Sequence, residues 1–124
     1  MTDGSLTKVA ERGSWKTLSL GPMTPFPYVS SFSKAQYETI RHGLVPVEME
    51  DKWFIFWEAD SLFFYRSWTG YCVYRVDFHP SADGFQVARA AVSTEVSQYR
   101  RRSDQDEAAL VDRLIRGLLL HESD

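Results

Sequence analysis

The chain has 124 residues, 44% of them hydrophobic, and its 14 Lys+Arg against 17 Asp+Glu leave a formal net charge of −3. That is the size of one small globular domain. Its longest apolar runs, such as 53–57 and 62–65, fall far short of the roughly 20 residues needed to span a bilayer. Both signs of charge are spread along the chain, and the one basic run, Arg100 to Arg102, leads straight into Asp104, Asp106 and Glu107. This argues against a nucleic-acid binder, which neutralises phosphates with a basic surface.

Met1 to Ser5 carry an acid where a secretory leader would be basic, and no apolar stretch follows, so a cytoplasmic protein is expected. The single cysteine, Cys72, fits a reducing compartment and leaves no thiolate cluster for zinc. His42, His79 and His121 lie too far apart in sequence to form a helical metal pair. The expectation is therefore no metal and no cofactor.

Along the chain, residues 1–28 are rich in Gly, Ser, Thr and Pro, with Gly13, Gly21, Pro22, Pro25 and Pro27 interrupting any regular period. They read as an extended arm ahead of a single α+β domain, 29–124. Its Trp15, Leu18, Leu20, Met23, Phe26 and Tyr28 predict that parts of the arm lie against the body. Ser33 and Gln36 form a capping-box signature and Gly43 a left-handed stop, which predicts a short helix over 34–42. Pro46 ends it, and Val47 and Met49 lead into the strands.

The middle third carries strand signal. Trp53, Ile55 and Trp57 alternate with Phe54 and Phe56, and after the turn at Glu58, Ala59 and Asp60 the alternation resumes over 62–66. Thr69 and Gly70 punctuate the chain before a third strand, 71–78, with Cys72, Tyr74, Val76 and Phe78 on one face. A turn over 80–84 leads to a fourth, 85–92, in which Phe85, Val87 and Arg89 share a face. A four-stranded antiparallel meander follows from these short connections. Last, Ser103 caps a helix with Asp104, Asp106 and Glu107 in its first turn and Leu110, Val111, Leu114, Ile115, Leu118 and Leu119 at helical spacing. The predicted architecture is α+β, in the order α, β, β, β, β, α, with the long C-terminal helix packed on one sheet face.

The stretch Glu50, Asp51, Lys52, Trp53, Phe54, Ile55 and the segment from Phe64 through Arg66, Ser67, Trp68, Thr69 and Gly70 to Tyr74 resemble a group of small bacterial proteins with a DKWF strand, an RSWTG turn and a leucine-rich last helix. The likeness extends over roughly residues 31–120, with Ser97, Gln98 and Tyr99 before that helix. It implies a bacterial single-domain protein and carries no activity with it.

Eighteen aromatics are present, eleven of them within 53–78. Alternation sends large apolar groups to both faces of the sheet, while one long helix covers only one of them. The second face must then meet the arm and first helix, a partner protein, or a second copy of the chain. Trp53, Trp57 and Tyr65 are the candidate partner-binding residues. The sharpest polar constellation is Arg66, Ser67, Trp68, Thr69 and Gly70. There an Arg, two hydroxyls, an indole plate and a glycine suit a nucleotide-like or phosphorylated metabolite, with Glu58 and Arg75 as auxiliary groups. The bland alternative is a hairpin turn whose hydroxyls bond local backbone and whose Trp68 packs under the arm. Arg75, Asp77 and Arg89 are expected to form a cross-strand ion pair; His79 has no nucleophile in register, and Cys72 is expected in the core. No residue is assigned a catalytic role. The leading expectation is a binding protein of immunity, antitoxin or adaptor type, held to its partner by an aromatic sheet face; a small enzyme or sensor at the Arg66–Gly70 turn is the alternative.

Overall fold

The computed structural model describes residues 9–48 and 50–122; Met1 to Ser5 and Met49 lie outside the described residues. The chain forms an antiparallel sheet with two helices on one of its faces. In order, the elements are β1 (Met23–Pro25), β2 (Ser31–Ser33), α1 (Lys34–His42), β3 (Trp53–Glu58), β4 (Ser61–Arg66), β5 (Cys72–Ser81), β6 (Gly84–Ser93) and α2 (Asp104–Arg113), which continues as a π-helical segment, Leu114–Leu119. The sheet runs β1-β6-β5-β4-β3, with β2 also paired to β6.

The meander of β3 to β6 forms as its short connections predict, but the sheet has six strands rather than four. Of the added two, β1 comes from the Pro-rich arm expected to be irregular, and β2 from the residues just ahead of the first helix. They line the outer edge of β6 in two pieces, Met23–Pro25 against Ser93–Ala91 and Ser31–Ser33 against Gln86–Gly84. An edge strand uses only alternate N–H groups, so Pro25 and Pro27 can flank Phe26, whose N–H donates to the Ala90 carbonyl at 3.0 Å. The same alternation buries Phe26 and Tyr28 in the main core.

The helices obey their local signals. Ser33 Oγ accepts from the Gln36 N–H and the Gln36 side chain accepts from the Ser33 N–H. Gly43 stops α1 at φ +68°, where a Cβ would stand 2.2 Å from the Ile55 carbonyl oxygen. Ser103 caps α2 by accepting from the Asp106 N–H. Past Arg113 the helix widens, and the Leu120 N–H reaches back five residues to the Ile115 carbonyl. The wider turn buries Leu119 and leaves Leu118 37% exposed, which a pure 3.6-residue period does not anticipate.

Two β-bulges also displace the expected alternation. Tyr65 pairs with Cys72 and Phe64 with Tyr74, so Val73 is the extra residue and Cys72 turns to the face opposite Tyr74. Ala88 is extra in β6, which puts Phe85 and Val87 on the helix side and Arg89 beside Asp77 on the other.

The helix-side core unites Tyr37 and Ile40 of α1 and Val111, Ile115 and Leu119 of the last helix with Ile55, Phe64, Tyr74 and Val76 of the sheet. The second face holds Phe54, Phe56, Phe63, Tyr65 and Cys72, closed by Ala10. Ala10 is anchored by its N–H to the His42 carbonyl, and the Arg12 guanidinium lies 5.0 and 5.5 Å from the Phe56 and Phe63 ring centres. The arm, not α1, covers this face. The free edge of β3 is bridged at its middle by Leu44, which exchanges both backbone hydrogen bonds with Ile55.

Candidate functional site

The β4–β5 turn, 66–70, is built partly by the arm. Its Gly70 N–H donates to the Arg66 carbonyl, and Gly70 adopts φ +81°. Two arm residues clamp it: the Trp15 indole N–H donates to the Ser67 carbonyl at 2.7 Å, and the Leu18 N–H donates to the Gly70 carbonyl at 2.9 Å. Ser67 is buried, its hydroxyl donating to the Asp51 carbonyl at 2.6 Å and its N–H to the Lys52 carbonyl. That hydroxyl is used within the fold. Thr69 Oγ1 accepts the Tyr71 N–H at 3.3 Å, the local bond expected of a turn threonine. Arg66 reaches back over the Trp53 ring at 5.3 Å.

Trp68 is 65% exposed. It lines two adjoining hollows. One, of about 650 Å³, is formed with Trp15, Lys16, Val47, Glu48 and Ser67; the other, of about 200 Å³, with Lys52, Arg66 and Thr69. Together they set two indoles and Val47 among three cations and one carboxylate. Such a surface suits an apolar group carried on an acidic or polar segment.

The remaining predicted site residues lie elsewhere. Glu58 sits at the far end of the β3–β4 hairpin, about five residues or roughly 17 Å from Arg66 along the strand. It is ion-paired with Arg12, which lowers its carboxyl pKa. Arg75 lies mid-strand on the second face, over the Phe63 ring at 5.4 Å. The expected cross-strand ion pair is present: Asp77 accepts from Arg75 Nε at 2.9 Å and Arg89 Nε at 3.3 Å. Burial pushes the Asp77 carboxyl up, but the Ser61 hydroxyl and the two arginines outweigh it, and its pKa is lowered.

Trp53, Trp57 and Tyr65 do not make one surface. Trp53 and Trp57 border the helix-side core, where Trp53 stacks on Tyr74 and Trp57 donates its indole N–H to the Tyr37 hydroxyl, with Arg41 over its ring at 4.3 Å. Tyr65 is fully buried on the opposite face, because adjacent strand residues alternate and β4 pairs Phe54 with it. Burial pushes the Cys72 thiol up to about 12, a value for an inert core thiol. His79 is exposed in β5.

A polar cluster escaped the sequence reading. Glu107 is fully buried and accepts from the hydroxyls of Tyr74 at 2.5 Å and Tyr99 at 2.7 Å, and from the Arg102 N–H at 3.0 Å, with Arg101 Nε at 3.3 Å. Burial, then the Glu107 bond, raises the Tyr74 pKa; Tyr99 is also raised, chiefly by burial. The cluster ties the 94–103 segment to the sheet. Its signal was present in the spacing, since Glu107 occupies the same helical stripe as Val111, Leu114 and Ile115.

Among the described residues, no group of His, Cys, Asp and Glu is placed to hold a metal ion, and no helix is long and apolar enough to cross a membrane. Comparison with protein-family models, with curated proteins and with solved structures finds no match.

Proposed function

We propose that this chain is a binding protein of immunity, antitoxin or adaptor type, and that its contact surface is the junction of the arm with the β4–β5 turn, anchored by Trp68. The observation that carries this reading is the 65% exposure of a tryptophan on a turn fixed by two arm hydrogen bonds and flanked by two hollows. Exposed aromatic anchors on rigid supports concentrate binding energy in protein interfaces. The arm cover over Phe54, Phe56 and Phe63 occupies the sheet face that would otherwise serve. Native mass spectrometry of the protein purified gently from its host tests the reading. A co-purifying protein that is lost from Trp68→Ala supports it; retention of that protein by the variant overturns it.

A second reading, a nucleotide-like or phosphorylated metabolite at the turn, is favoured by the smaller hollow, where Lys52 and Arg66 adjoin the Trp68 plate. A retained mass of a few hundred daltons in the same spectrum is its signature.

A further inference from the structure

The arm closes the second face of the sheet over β3 and β4, but over β5 and β6 that face carries a hollow among the described residues. Its volume is about 410 Å³, and it is lined by Met23, Pro25, Arg75, Asp77, Arg89 and Ala91. We propose that this hollow is a second binding site, taking a small phosphomonoester with an apolar body, with Arg75 and Arg89 as its phosphate-holding residues.

Charge and geometry carry the inference. Two guanidinium groups share a single carboxylate, so the side-chain triad keeps one net positive charge. Asp77 engages each arginine through Nε, and its Oδ1 also accepts the Ser61 hydroxyl at 2.6 Å. Of the terminal nitrogens, Arg75 Nη2 has a long contact to Ser61 Oγ at 3.4 Å; both on Arg89 and Nη1 of Arg75 have no protein acceptor among the described residues. Arg75 and Arg89 are diagonal neighbours across β5 and β6, since Asp77 pairs with Arg89 and Arg75 with Ala91. Diagonal side chains stand roughly 7–8 Å apart at their bases, close enough for two long arginines to meet one anion. A carboxylate fills one guanidinium fork, whereas three terminal phosphate oxygens can serve two forks at once. Asp77 holds both arginines by their inner nitrogens and so lowers the entropy lost when the outer ones bind. Met23, Pro25 and Ala91 supply an apolar wall for the body of the ester. This site shares no residue with the Trp68 surface and stands independently of its role.

The test is a titration of the isotopically labelled full chain with phenyl phosphate, inorganic phosphate and benzoate, followed by nuclear magnetic resonance at the Arg side-chain Nε–H signals and at residues 23–25 and 89–91. Phenyl phosphate is expected to bind most tightly, inorganic phosphate more weakly for lack of an apolar body, and benzoate weakest. Arg89→Gln, at a side chain 76% exposed and therefore harmless to folding, is expected to weaken phenyl phosphate by about tenfold or more. Arg75→Lys keeps the charge but loses the fork, and is expected to weaken it as well; Trp68→Ala is expected to change nothing. Unperturbed Arg75 and Arg89 signals, equal affinity in Arg89→Gln, or equal affinity for phenyl phosphate and inorganic phosphate would each overturn the proposal.

Discussion

The two faces of the sheet are sealed by different means. On the helix side, α1 and α2 bring regular stripes of aliphatic and aromatic side chains onto the strands, and the packing of whole helices excludes water. On the other side, a cover whose described part holds one short turn of 3-10 helix, Arg12–Ser14, does the same work with Ala10 and one arginine laid over two phenylalanines. A helix spreads its stabilisation over many contacts, whereas a strap concentrates it in a few. The helix-side face is therefore expected to open only with global unfolding, and the strapped face to open locally at lower cost.

The largest expected effect lies on the helix side. Phe64→Ala empties a fully buried position and should cost about 3–5 kcal/mol, read from denaturant unfolding. Next, Glu107→Leu leaves the Tyr74 and Tyr99 hydroxyls without their buried acceptor and should cost about 2–3 kcal/mol. On the strapped side, Arg12→Ala removes two partly exposed cation–π contacts and a surface ion pair, for about 1 kcal/mol.

The single cysteine sharpens the contrast, because Cys72 lies in the strapped core. Arg12→Ala should speed thiol labelling of Cys72 far more than its small loss of global stability accounts for, and equal rates would show that the strap does not open on its own. The thiol also predicts a pH response. Its pKa is raised on folding from 9.0 to about 12, so the neutral form is the one favoured by the fold. That stability is fully present below pH 9 and lost as pH rises toward about 12, so the unfolding midpoint falls over this range; Cys72→Ala is expected to lessen the fall, the raised tyrosines Tyr74 and Tyr99 supplying the rest. The smallest effect is expected at Trp68→Ala, within about 0.5 kcal/mol for a side chain so exposed. A loss near that of Phe64→Ala would place Trp68 in the packing of the fold instead of at a contact surface.

The local signals proved readable where a few adjacent residues decide the outcome. The Ser33–Gln36 capping box, the Gly43 stop, the Ser103 cap and the β3–β4 hairpin are all of this kind. What escaped was set by distant partners. Pro25 and Pro27 look incompatible with a strand until β6 supplies an edge that leaves their positions unbonded. Val73 and Ala88 are ordinary residues whose surplus shows only against the neighbouring strand, and each reverses the face of the residues beyond it. The Arg66–Gly70 turn was recognisable as a turn with an uncommon tryptophan, but its clamping by Trp15 and Leu18 joins residues some fifty positions apart. Glu58 and Arg75 suit that turn by chemistry alone, but strand register places both away from it.

The blocked sheet edges carry a consequence for assembly. Amyloid growth and strand exchange both start from an uninterrupted row of free backbone donors and acceptors. At one end of this sheet the row is broken by Pro25 and Pro27, and at the other Leu44 occupies its centre at Ile55. Each surviving stretch is shorter than a typical strand of about five residues. A chain with eleven aromatics in 26 residues of strand and turn is thus kept from polymerising through its backbone, and its associations are left to side chains.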